Sequence, residues 1–99
     1  MRKTLISGNI FLISVAREKH FRIAARLAAL DPALETGLDH ARGMVQFWDE
    51  NNTCSPKHIE GWSNILSGDP VGIAKKILAL DPDWMDALFQ HSPFDLGSL

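Results

Sequence analysis

The stretch LAALDPALETGL, residues 27–38, returns fifty residues later as ILALDPDWMDAL, residues 77–88. Asp accepts hydrogen bonds from the unpaired amides at a helix start, and proline fits the first helical position because its missing N–H has no partner there anyway. The same proline drives the residue before it out of the helical region. Leu-Asp-Pro therefore ends one helix and opens the next, and the chain turns a corner at each copy.

All five prolines stand in this setting: Asp31-Pro32, Ser55-Pro56, Asp69-Pro70, Asp81-Pro82 and Ser92-Pro93. Each reads as a helix start, and the apolar spacing agrees. Ile13, Ala16, His20, Ile23, Leu27 and Leu30 alternate at three and four residues, the stripe of an amphipathic helix over about 10–30. Leu34, Leu38, Ala41, Val45 and Trp48 repeat the pattern over 32–50, with Met44 beside them. Three shorter helices follow. They cover 56–67 with Ile59, Trp62 and Leu66 inward, 70–80 with Ile73, Ala74 and Ile77, and 82–90 with Trp84, Leu88 and Phe89.

The expected fold is all-α, a single compact domain of about five helices, two long and three short, with Asp-Pro and Ser-Pro corners. Residues 1–9 are expected to be flexible or extended, and the tail 92–99 to pack through Phe94. NIFLIS, residues 9–14, is the one stretch with any strand character. Ninety-nine residues suffice for one core and not for two.

The repeated phrase aligns residues 23–38 with 73–88. Over those sixteen residues it resembles the junction between tetratricopeptide repeats, a family that binds peptides. The resemblance ends there: the copies lie 50 residues apart, against a family period of about 34, and the helix before Asp81 is a turn short. The chain is not placed in that family.

Composition narrows the class. A 45% apolar, 22% charged chain is globular rather than disordered. Its net charge of −2 is unevenly spread. Through Leu30, six basic residues face one acid, a balance of +5, and from Asp31 onward four basic residues face eleven acids, a balance of −7. Mutual neutralisation, within the fold or across a dimer, is the reading adopted. The lone Cys54 rules out an intrachain disulfide and fits a reducing cytoplasm. Residues 1–16 have a basic start, an apolar stretch and small Ser14 and Ala16, the outline of a signal peptide. Gly8 and Asn9 interrupt the apolar run and the helical pattern continues past it, so the segment is read as folded chain. It is too short to span a membrane.

Motifs for chemistry are sparse. DENNTCSPKHIE, residues 49–60, places oxygen side chains at calcium-loop positions, but Cys54 stands where a sharp turn takes Gly and Pro56 removes an amide the loop uses. It reads as a helix end followed by a cap. Cys54 and His58 lie four apart without the further ligands that a closed zinc site requires. No cofactor, metal or catalytic residue is assigned. Segment 56–80 has the outline of a helix-turn-helix, which makes a small DNA-binding regulator the alternative, although Lys75 and Lys76 stand among acidic neighbours. The main expectation is a non-enzymatic protein-binding regulator, antitoxin- or inhibitor-like, acting on a protein partner, with a second copy the simplest one. Its contact residues are expected along the first helix: Ile13, His20, Ile23 and Leu27 on the stripe, flanked by Arg17, Arg22 and Arg26.

Overall fold

The computed structural model describes residues 2–95, with side chains from Ser14 onward. Five helices follow in order: α1 (Arg2–Ala28), α2 (Ala33–Asn51), α3 (Pro56–Ile65), α4 (Pro70–Leu78) and α5 (Pro82–Gln90). No strand occurs among the described residues.

The corners are built as the prolines imply. Ser55 Oγ accepts from the His58 amide at 3.2 Å, Asp69 Oδ1 from Gly72 at 2.8 Å and Asp81 Oδ1 from Asp83 at 3.1 Å, each with proline opening the helix. Asp31 Oδ1 accepts from Ala33 at 3.0 Å, and Pro32 already has helical backbone angles. Each such cap is worth about 1 kcal/mol. Ser92-Pro93 departs from the pattern. It forms a turn with no helix after it among the described residues, Ser92 Oγ accepting from the Phe94 amide at 3.2 Å. Phe94 packs onto the core, with 5% of its surface exposed. Residues 96–99 of the tail lie outside the described residues.

Two further differences from expectation concern α1. It begins at Arg2, so residues 2–9 are helical rather than flexible or extended, and NIFLIS lies within the same helix. A helix formed downstream extends one hydrogen bond per residue without a new nucleus, and Gly8 opposes this by only about 1 kcal/mol. At the other end Leu30 leaves the stripe. It adopts φ 56°, and the amides of Leu30 and Asp31 bond back to the carbonyls of Leu27 and Arg26, each at 3.0 Å. This is the left-handed termination in which Gly usually sits, and it points Leu30 outward, 63% exposed.

α1 packs most extensively on α4 and next on α5, while α2 packs on α3. Ile23, Ala24 and Leu27 join Ile73, Ala74, Ile77, Met85, Leu88 and Phe89 in one buried cluster. Trp62 of α3 is fully buried in it, and its Nε1–H donates to the carbonyls of Leu88 and His91, both at 3.2 Å. The C-terminal end of α3 draws two cations. Arg42 donates to the carbonyls of Leu66 and Gly68, and Lys76 donates to those of Asn64 and Ser67. Positive charge there satisfies open carbonyls and complements the helix dipole.

Candidate binding surface and the histidine cluster

The described middle of the α1 stripe is buried rather than a surface. His20 is fully buried, and Ile23 and Leu27 are each 1% exposed, covered by the chain's own helices. The short helices are enough to cover what had been expected to need a partner, because α4 and α5 both lie against α1. Ile13 lies outside the residues whose side chains are described.

The arginines remain at the surface, each bound to an acid of the same chain. Arg17 forms a two-point contact with Asp86 of α5, Nε to Oδ1 at 2.7 Å and Nη2 to Oδ2 at 2.8 Å. That hydrogen bond raises the guanidinium's affinity for its proton still further. Arg22 pairs with Glu18 at 2.6 Å one turn earlier, and Arg26 pairs with Asp31 at 2.9 Å across the corner. The Asp31 carboxyl is held below the usual carboxylate range, first by the Ala33 amide and then by Arg26. Two of these three contacts join the basic and acidic halves of the sequence, so the charge asymmetry is partly closed inside one molecule.

The outward face of α1 carries Ser14, Glu18, Phe21, Arg22 and Ala25, with Arg17 at its edge, lining one shallow hollow. Phe21 is 38% exposed and meets Phe89 edge-on, ring centres 6.4 Å apart. Phe21 falls off the three-four stripe, which is why the apolar pattern did not single it out.

The helix-turn-helix outline is filled differently from a DNA reader. Ile73, Ala74 and Ile77 turn one face of α4 into core, and Lys76 is held on the end of α3. Lys75 and Leu78 are left on the solvent side.

A second grouping was hidden from sequence because it joins the α2–α3 connection to the end of α5. Cys54 Sγ lies 3.2 Å from His91 Nε2, and His58 Nε2 lies 2.7 Å from the His91 carbonyl oxygen, to which it donates. Trp48 flanks both imidazoles, 4.7 Å from the His91 ring and 5.9 Å from that of His58. Partial burial pushes the Cys54 thiol up from its ordinary value. No group of three His, Cys, Asp or Glu side chains suited to a metal ion occurs among the described residues. With Trp62, these contacts hold His91 at the end of α5.

His20 is the third element. Nδ1 lies 2.7 Å from the Ala16 carbonyl and Nε2 lies 2.8 Å from Ser92 Oγ. The ring stacks on Phe89 at 3.9 Å and 4°, with Trp62 and Phe94 completing the enclosure at 5.9 and 6.2 Å. Burial lowers its affinity for a proton, an effect the Ala16 hydrogen bond only partly offsets.

No protein-family model matches the chain, and no curated protein or solved structure shows significant similarity to it. No helix among the described residues is long and apolar enough to cross a membrane.

Proposed function

We propose that this chain is a non-enzymatic, protein-binding regulator, antitoxin- or inhibitor-like in that it acts by occupying another protein's surface. The observation that carries the reading is the outward face of α1. There an exposed aromatic ring, Phe21, lies in a hollow lined also by Arg17 and Arg22. Aromatic and arginine side chains are enriched where proteins bind one another, and the aliphatic stems of the two arginines extend the apolar ground around the ring. The contact set therefore moves from the buried stripe to Phe21, with Arg17, Arg22 and Arg26 retained as charge-matching neighbours.

The test is a photo-crosslinking residue placed at Phe21, or as a control at Phe47, which is 53% exposed on α2. The expected result is a discrete adduct from position 21 alone. An adduct of twice the 11.0 kDa chain identifies a second copy, and any other mass a different protein. Absence of an adduct at position 21, or equal adducts at both positions, contradicts the proposal. Retention on DNA that falls steeply with salt and is weakened by Arg22→Glu would replace it with the nucleic-acid reading.

A further inference from the structure

We propose that His20 and the turn of residues 92–94 form an acid-sensitive clasp: protonation of the ring releases the turn and uncovers the buried His20 ring and the Phe89 and Trp62 rings packed on it. This inference does not depend on the identity of any binding partner.

The hydrogen-bond pattern fixes the resting state. The Ala16 carbonyl can only accept, so Nδ1 bears the proton of the neutral ring. Nε2 is then the acceptor, and the Ser92 hydroxyl donates to it while accepting from the Phe94 amide. A single line of bonds thus runs from the Phe94 N–H through Ser92 to the ring. A proton arriving at Nε2 makes that atom a donor facing another donor. The Ser92 hydroxyl must reverse and lose its acceptor, and a positive charge is left among Phe89, Phe94 and Trp62.

Among the described residues the two ring nitrogens bond to uncharged partners, the Ala16 carbonyl and the Ser92 hydroxyl, which do not offset this charge. On the surrounding elements Arg17 of α1 and Asp86 of α5 are bound to each other, Glu18 is bound to Arg22, and Lys76 of α4 is bound to the end of α3. Lys19 of α1, Lys57 and Glu60 of α3, Lys75 of α4, Asp83 of α5 and Asp95 of the tail are exposed. His58 of α3 donates to the His91 carbonyl, and His91 itself contacts Cys54.

Water reaches Nε2 most readily by displacement of its cover. Ser92, bonded to Nε2, and Phe94, edge-on to the ring, lie outside any helix. The motion starts sharply at residue 92, because His91 is held by Cys54, His58 and Trp62. Lifting the turn exposes Pro93 and Phe94, both buried at rest. The sign follows from linkage: the open form binds the proton better, so closure is complete above the ordinary histidine value of about 6.5 and weakens as pH falls below it.

The experiment is amide hydrogen exchange by NMR on the whole protein near neutral pH and at about pH 5, expressed as protection factors. The expected result is a loss of about tenfold per pH unit below roughly 6.5 at the Phe94 amide. Ile73 and Ile77 in α4 keep their protection. Ser92→Ala should open the turn already at neutral pH, and His20→Phe should remove the pH dependence. Phe94 protection that does not change with pH overturns the proposal, as does a parallel loss at Ile73 and Ile77, which would report unfolding of the whole molecule. These wild-type comparisons decide the matter even if His20→Phe fails to fold.

Discussion

Two glycines of the helices test the packing of α3 on α5, because the same substitution should act in opposite directions at them. Gly43 lies exposed within α2, and a Cβ built there meets nothing within 4 Å. Gly61 lies within α3, and its Cβ would come 2.7 Å from Trp84 Cζ2 and 3.1 Å from Leu88 Cδ2 of α5. Alanine in place of an interior helical glycine is favourable by about 0.5 to 1 kcal/mol, and this contribution is shared by the two variants. What differs is the contact. Accommodating a methyl at 2.7 Å requires the Trp84 ring or the α3–α5 seam to shift by several tenths of an ångström, and overpacking of this kind costs about 1 to 3 kcal/mol. Gly43→Ala should therefore raise the urea midpoint, and Gly61→Ala should fall below Gly43→Ala by about 1 to 3 kcal/mol at unchanged slope. On a chain of this size that is a separation of roughly 4 to 24 °C in Tm. Equal stabilisation by both substitutions would refute the close approach of α3 and α5.

Other substitutions probe the corners and the charges. Leu30→Gly should stabilise the fold by about 0.5 to 1 kcal/mol in the same assay, since it relieves a left-handed conformation costing about 1 to 2 kcal/mol at a side chain that buries little. Asp69→Ala removes the cap on the Gly72 amide and should lower stability by about 1 kcal/mol. Asp31 adds stability above the ordinary carboxylate value of about 3.9, and that stability is lost as pH falls through its lowered folded value. Asp31→Asn should reduce the drop in urea midpoint between about pH 5 and pH 3.

Helix starts were legible because their cause is local. A cap residue and a following proline set the geometry within three positions, and four of the five pairs open helices. Ser92-Pro93 has the same letters, but its hydroxyl is engaged by His20, 72 positions away in sequence, and no local pattern reports such a partner. The inward faces of α2 and α4 followed from spacing alone. The buried status of His20 was consistent with its place on the stripe, while its partner Ser92 was not predictable. Spacing showed that α1 has an apolar face but not whether another chain or the molecule's own α4 and α5 cover it. The same limit hid the Cys54–His91 contact, whose members are 37 residues apart. A period of three and four selects residues that face inward, so it carries no signal for Phe21.

Ile23 and Leu27 of the α1 stripe belong to the core of the single molecule, while Phe21 faces solvent. Urea unfolding of Ile23→Asp beside Phe21→Asp, each followed by far-UV circular dichroism, tests this most directly. The expected result is that Ile23→Asp loses its cooperative transition while Phe21→Asp keeps a transition close to that of the parent chain. A folded, monomeric Ile23→Asp protein would show the stripe to be an interface between molecules and contradict the account.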